Sequence, residues 1–471
     1  MKKVRTALTR RGFLGGCAAL GTLAGCRSLG LGGASAPMLR LGVVSDIHLD
    51  VPGDEKSFIA ALEYFRSVGV DGVLMAGDMA NLGRIEQMER GAAAWYGVFP
   101  DGKYPDGRRC EQLFIYGNHC IDFANNDPEG GIGYGENRRL VWERLFHEEY
   151  QPIWLKRVRG VPVIGAHWVN WSGTGGALTR FFDSHGGELD ADTPFVFTQH
   201  AHPKDTCFGT WAWGHDDGES TAVLSRFPNA VAFTGHSHYT LTDERSVWQG
   251  AFTSINAGSM KYSSTDYSLR ENMPGNSQGF RAENRQHVMP RMKTDDGRQG
   301  MVVDFFEDRL EIDRREFVYG KSLGPKWTVP MMALRRDFSY SARAARRSAP
   351  RFAADAAVTV RAVTADGRRT VEVGFPAAAA VDGSRPFEYE ITATLVEDDV
   401  ELVLAQRRVM DRRFHLPEGV GMTRPDTVRF DFTELKAAGR CRFEVRPLEC
   451  FGLKGAAIVS EAVDLAALAK G

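Results

Sequence analysis

From Met38 to about residue 260, short apolar runs alternate with amphipathic stretches, and this rhythm constrains the fold more than any other feature. "MLRLGVVS", "VDGVLMAG", "EQLFIYG", "GVPVIGAHWV", "PFVFTQH", "AVAFTG" and "FTSINAG" read as buried strands. Between them "DEKSFIAALEYFRSVG", "RIEQMERGAAAWYG" and "NRRLVWERLFHEEY" carry apolar residues at helical spacing, and further helices are expected near 176–185 and 219–226. Strands alternating with helices specify a layered α/β domain. Catalytic loops in such folds lie beyond the strand ends, so the residues just past each strand are the ones to read for chemistry.

Five pieces stand at those positions: "SDIH" (Asp46, His48), "AGD" (Asp78), "GNH" (Asn118, His119), "TQH" (His200) and "TGHSH" (His236, His238). A lone Asp or His after a strand is usually a cap or a satisfied polar residue. Here five of the chain's 12 histidines follow apolar runs within one domain. Asp46 and His48 are two apart, as are His236 and His238, and in an extended segment such pairs face one way. Mixed carboxylate, imidazole and amide ligands suit Mn, Fe or Zn and disfavour Ca and Mg. Gly77, Gly117 and Gly235 precede the polar residues and are expected to permit sharp turns at the rim.

In this order and context the pieces resemble the calcineurin-like metallophosphoesterase family, over roughly residues 39–260. The resemblance implies a four-layer α/β sandwich with a centre of two divalent or trivalent transition metal ions. It implies that Asp46, His48 and His238 hold one metal, that Asn118, His200 and His236 hold the other, and that Asp78 bridges them. His119 would be the acid that protonates the leaving oxygen or contacts the phosphate. The implied reaction is hydrolysis of a phosphodiester or phosphomonoester by a hydroxide that the two metals activate.

One position departs from the family pattern. Cys120 follows His119 where the family usually carries an acid, and a thiol is a weak hydrogen-bonding partner. His119 would then be oriented by Asp122 two residues on, by an acid from elsewhere, or by nothing, leaving it less basic. The segments "QHAHPKDT", "WGHDDGES" and "GHSHYTLTDERSVWQGAFTSINAGS" resemble a bacterial subgroup of the family. His202 could touch substrate or be a loop histidine. Asp216 and Asp217 read as helix caps, with substrate contact as the alternative. Trp211 and Trp213 read as packing.

The flanks set the domain plan. Residues 1–26 read as an export signal: Lys2, Lys3, Arg5, Arg10 and Arg11 precede an apolar run too short to span a bilayer. "TRRGFL" resembles a twin-arginine signal, and "LAGC" resembles a lipobox that would lipidate Cys26. Residues 27–37 read as a flexible tether, 38–335 as the metallophosphoesterase domain, 336–352 as a solvated Arg-rich linker, and 353–471 as an all-β sandwich. The ending "CRFEVRPLECFGLKG" resembles the last strands of immunoglobulin- or fibronectin type III-like domains, which implies an accessory or adhesive role. Within the first domain, residues 263–300 lose all periodicity and read as a surface loop or a functional lid.

Charge and cysteine content narrow the partners. Removing the five leading cations from the formal charge of −2 leaves −7, so nucleic acid is not an expected partner. The expected substrate is a small-molecule or lipid phosphate ester outside the cytoplasm, in the periplasm or on the outer surface. The lipid on Cys26 would be the membrane anchor. Of the seven cysteines, Cys17 and Cys26 fall in the signal, and the odd remainder is no disulfide framework, though a Cys120–Cys207 bond stays open. Two competing readings are a lipid-anchored binding or adhesion protein with a degenerate site, and an exported nuclease.

Overall fold

The computed structural model describes residues 36–470 apart from 122–129, 171–172, 209–215, 267–284, 288–290, 295–296, 334–336, 366, 398–399, 422–424 and 437–438. The signal and lipidation expectations, including Cys26, fall outside these residues, as do Asp122, Trp211, Trp213 and most of the 263–300 loop. Residues 37–471 form one compact unit.

The chain begins with β1 (Leu39–Val44), α1 (Glu55–Val68), β2 (Gly72–Met75), α2 (Ile85–Val98), β3 (Glu111–Phe114) and α3 (Glu136–Phe146). Helix α1 shows why these elements form. Phe58, Ala61, Leu62 and Phe65 recur at helical spacing and are buried, Glu55 stands in the first turn, and Gly69 ends the helix in a left-handed conformation. A second series follows: β4 (Ile153–Val158), β5 (Val161–Ala166), α4 (Ala177–His185), β6 (Phe195–Thr198), α5 (Glu219–Leu224), β7 (Ala230–Thr234), β8 (Val247–Gln249) and β9 (Thr253–Asn256). After β10 (Ser263–Asp266), β11 (Arg285–His287) and β12 (Arg291–Thr294) come β13 (Gln299–Phe305), β14 (Arg309–Glu316), β15 (Lys321–Ser322) and β16 (Trp327–Pro330).

Two sheets result. One runs β15-β14-β13-β1-β2-β3, with β16 also on β14, and the other runs β4-β5-β6-β7-β9-β8. Three apolar clusters divide this part into four layers. Phe58, Met88, Trp95, Trp142 and Phe146 of the first three helices pack on Val44, Val73, Met75 and Phe114. Leu41, Val43, Leu74 and Leu113 of the first sheet meet Val163, Val196, Val231 and Phe233 of the second. Leu178, Phe182, Val223 and Leu224 of α4 and α5 cover Ile164, Phe195, Phe197 and Ala232 on the far face. Alternate residues of β7 therefore serve two different interfaces, as the period of a doubly buried strand requires.

Residues 336–352 are not a solvated linker. They contain α6 (Tyr340–Ala344), in which Arg343 is buried and donates to the carbonyls of Glu244 and Val247. Composition could not reveal this, because the guanidinium is held by backbone oxygens and by the rings of Phe338 and Phe451 rather than by acids. Beyond it lie β17 (Thr359–Ala365), β18 (Arg368–Phe375), β19 (Glu388–Glu397), β20 (Val400–Met410), β21 (Asp426–Asp431), β22 (Arg440–Leu448), β23 (Ile458–Val459), β24 (Val463–Asp464) and α7 (Leu465–Lys470). These strands form sheets β17-β18-β21 and β11-β20-β19-β22-β23, with β24 also on β22. Val371, Val373, Val428 and Phe430 of the first meet Ile391, Ala393, Phe443 and Val445 of the second in one core. The five described cysteines are all free and buried, so no Cys120–Cys207 bond forms.

Candidate metal centre

Strands β1, β2 and β3 run parallel, as do β6 and β7, so their C-terminal ends open toward common edges of the two sheets. Asp46 and His48 follow β1, Asp78 follows β2, and Asn118 and His119 follow β3. His200 follows β6, and His236 and His238 follow β7. The loops after β1 and β2 also pair with each other: Asp46 N donates to Gly77 O, His48 N to Asp78 O and Asn81 N to Leu49 O.

The backbone here is strained. Asp46, His48, Asp78, His236 and His238 all have positive φ, at 52°, 47°, 54°, 70° and 56°. L-residues rarely adopt that region, and a cluster of them persists only where the surroundings over-determine it. Of the three glycines expected to make turns, Gly77 does so at φ 99°. Gly117 and Gly235 serve by their lack of bulk instead. A Cβ at Gly117 would meet Asp78 Oδ1 at 2.2 Å, and one at Gly235 would meet Asp46 Oδ2 at 2.4 Å.

Asp46, His48, Asp78, His200, His236 and His238 come close together, with His119 beside them. His238 Nε2 lies 3.0 Å from Asp46 Oδ1, and His48 Nε2 lies 3.6 Å from the same oxygen. His200 Nε2 is 3.0 Å from Asp78 Oδ2, with His236 Nδ1 at 3.3 Å from it. Asp78 Oδ2 also lies 3.7 Å from His48 Nε2, which links the two halves. Asp46, His48 and His238 form one group able to hold an ion, Asp78, His200 and His236 a second, and His48, Asp78 and His119 a third.

The outer ring nitrogens fix the tautomers. His200 Nδ1 donates to Ala76 O at 2.7 Å, and His48 Nδ1 donates to Asn81 Oδ1 at 3.2 Å. His238 Nδ1 donates to Ser259 Oγ at 3.2 Å, and that hydroxyl donates in turn to Asp46 O. When these rings are neutral, as a bound cation requires, each Nε2 is thereby left as a lone pair pointing inward. His48 Nε2 and His238 Nε2 face one another at 3.0 Å. Neutral rings so placed have no proton to share across that gap. Asn118 Oδ1 is buried with no hydrogen-bond partner among the described residues. A set of inward acceptors without donors is complementary to cations, and its N/O composition fits first-row transition metals. In the ion-free arrangement burial disfavours a charged His200, but Asp78 and Asp46 outweigh it and lift its pKa to about 9. The same two carboxylates are held well below their usual range, because the imidazoles outweigh the cost of their burial.

Among the described residues, a backbone oxygen stands where the family pattern has an acid to orient His119. His119 Nδ1 donates to the backbone carbonyl of Asn81 at 2.8 Å, which orients the ring. Burial pushes the His119 pKa down, and Asp78 offsets this only in part. The Cys120 thiol is fully buried and pushed up to about 12, so it cannot stand in as a carboxylate. Asn81 thus serves two histidines, one through its side chain and one through its backbone. Its signal in the sequence was its place three residues beyond Asp78, where pairing with the β1 loop returns the chain to His48. Ser259 carried no comparable signal.

His202, Asp216 and Asp217 each have local partners. His202 is buried, with its ring nitrogens 2.6 Å from Thr234 Oγ1 and 2.9 Å from Ser237 Oγ, so neither is left for a substrate. Burial pushes it down to about 3, so it stays neutral. It braces the loop between His236 and His238 instead. Asp216 accepts from Gly218 N and Ser220 Oγ, and Asp217 accepts from Glu219 N, which makes both part of the start of α5.

Residues 39–240 match the family model described as calcineurin-like phosphoesterase. That stretch is a calcineurin-like phosphoesterase domain, the domain of a hydrolase acting on phosphate esters. Comparison with curated proteins finds no match. Among solved structures, the chain is similar to a dimetal phosphatase from Danio rerio, at 11% identity and a TM-score of 0.33, over 63% of this chain and 99% of that one. It is similar to the purple acid phosphatase PPD1 from yellow lupin (Lupinus luteus) seeds, at 12% identity and a TM-score of 0.39, over 62% of this chain and 53% of that one. A conserved uncharacterized protein from Streptococcus pneumoniae aligns at 12% identity and a TM-score of 0.27, over 62% of this chain and 97% of that one.

Proposed function

We propose that this protein is an exported phosphoesterase that uses two transition metal ions to hydrolyse a phosphodiester or phosphomonoester. The observation that carries the reading is the crowding of inward acceptors, Asp46 Oδ1 against His238 Nε2 and Asp78 Oδ2 against His200 Nε2, each at 3.0 Å. Asp46, His48 and His238 would hold one ion, Asn118, His200 and His236 the other, and Asp78 would serve both. When bound, such ions clamp phosphate oxygens and acidify water. His119, oriented through Asn81 O, would contact the phosphate or, once protonated, give a proton to the leaving oxygen. Tyr262, whose ring lies 4.1 Å from that of His238 and 6.4 Å from that of His48, forms the aromatic wall over the first ligand group. The export signal and the Cys26 lipobox support a periplasmic or outer-surface location, and the mature charge of −7 supports a substrate other than nucleic acid.

A panel of phosphate esters with the purified protein and added Mn²⁺, beginning with bis-p-nitrophenyl phosphate, tests the reading. Turnover of at least one ester, lost in Asp78→Asn, is expected. No turnover of any ester class with Mn²⁺, Fe²⁺ or Zn²⁺ would falsify it. Degradation of single-stranded DNA in preference to small esters would favour the nuclease instead.

A further inference from the structure

We propose that the C-terminal β-rich region is part of the metal site's support, with Gln299 as the positioning residue that connects it to the His238 loop. The inference rests on the metal-centre reading above. Gln299 opens β13 and is fully buried. Its backbone N–H donates to Ser259 O at 2.8 Å, and Ser259 Oγ is the acceptor for His238 Nδ1. Its side-chain Oε1 accepts from Leu241 N at 2.7 Å and Thr240 Oγ1 at 3.0 Å, both just past His238. Its Nε2 donates to His415 O at 2.7 Å, a carbonyl between β20 and β21. One residue thus ties His415 to both the partner of His238 and the backbone that follows it.

The loop is held from a second side by residues that also lie beyond the first two sheets. Tyr340 Oη donates to Arg245 O, and Arg343 donates to the carbonyls of Glu244 and Val247. That turn holds the loop through Ser246 Oγ, which donates to Thr240 O at 3.3 Å, while Asn256 Nδ2 donates to Tyr239 O at 2.8 Å. His238 needs such restraint, because its φ of 56° is a conformation that surrounding contacts must impose. Partners that orient a metal ligand are worth roughly 10- to 100-fold in metal affinity. An accessory region that merely sat beside the enzyme would not supply hydrogen bonds to this loop.

The test is Mn²⁺ titration of the full chain, read as bound metal per chain and as the dissociation constant of each step. Gln299→Leu and Ser259→Ala should each weaken one step about 10-fold or more and leave the other near wild type. Gln249→Leu is the control: it removes a buried amide that bonds Thr253 and Pro330 and touches no part of the loop, so both steps should be unchanged. If Gln299→Leu does not fold, Thr240→Val removes one donor to Oε1 and should shift the same step in the same direction. A folded Gln299→Leu (or, failing that, Thr240→Val) with wild-type constants overturns this proposal alone. So does a Gln249→Leu that loses as much metal, since the effect would then be general destabilisation. A wild-type chain that takes up no Mn²⁺ overturns both this proposal and the reading on which it rests.

Discussion

The rim of the two central sheets and the C-terminal sheets both bury charge, but they treat it in opposite ways. In the C-terminal sheets each cluster is matched internally. Arg408 bridges Glu388 at 3.1 Å and Glu390 at 3.0 Å, and Arg413 pairs with Asp411 and Asp426. At the rim, carboxylates and imidazoles face one another, and among the described residues no Arg or Lys pairs with them. The first arrangement is complete as folded and serves structure. The second is incomplete without cations and is held in a strained backbone to keep it so. Buried polar groups mark function here by their lack of complementarity, not by their number.

Substitutions on the two sides should therefore have different signatures. The largest effect is expected for Asp78→Asn, which removes the carboxylate that would serve both ions. It should lose metal from both and reduce turnover by 10³-fold or more, measured by metal content and ester hydrolysis. His119→Ala should keep its metals and lose about 10²–10⁴-fold in turnover, since it removes a proton donor and no ligand. Metal loss in that variant would mean that the third group, with His48 and Asp78, is the true ligand set. On the other side, Arg408→Met should leave metal content unchanged and destabilise the fold by about 3–5 kcal/mol in denaturant melts, because Glu388 and Glu390 lose a shared buried partner. An Arg408→Met protein that unfolds normally but loses metal would erase the contrast between the regions.

The smallest effect concerns pH. Burial raises the Glu388 carboxyl to about 7, against an ordinary value of 4.5, even with Arg408 and Arg245 opposing it. A raised carboxylic acid favours the neutral form in the fold. Its destabilising effect is absent below pH 4.5, grows between 4.5 and about 7, and is complete above that. Glu388→Gln should thus gain stability relative to wild type as pH rises from 5 to 8, read as the difference in melting temperature. A difference that is flat across that range would mean Glu388 ionises freely in the fold.

The four-layer part was legible because its strands are apolar runs with helices between them, and its chemistry follows each run within a few residues. Asp46, Asp78, His200 and their neighbours could be found by type and position alone. Asn81, Ser259 and Gln299 could not. They act through a carbonyl, a hydroxyl and an amide brought near by pairing between distant loops, and apart from Asn81's place three residues beyond Asp78 their local sequence does not record that pairing. Arg343 misled for a related reason: an Arg-rich run reads as solvated unless backbone carbonyls converge on one member, and convergence is a tertiary property. His202 misled because spacing by two from His200 gave its side but not its depth. The C-terminal strands were legible from alternation, as in β22, where Cys441, Phe443 and Val445 turn inward and Arg440, Arg442 and Glu444 do not.

The central claim is that the rim is a cation site completed by metal. Metal content of the purified full-length chain, measured by elemental analysis after equilibration with Mn²⁺, tests it most directly. About two ions per wild-type chain are predicted, with binding that raises the melting temperature by mass action and is lost in Asp78→Asn. A wild-type chain that binds none and melts at the same temperature with and without Mn²⁺ would contradict the account.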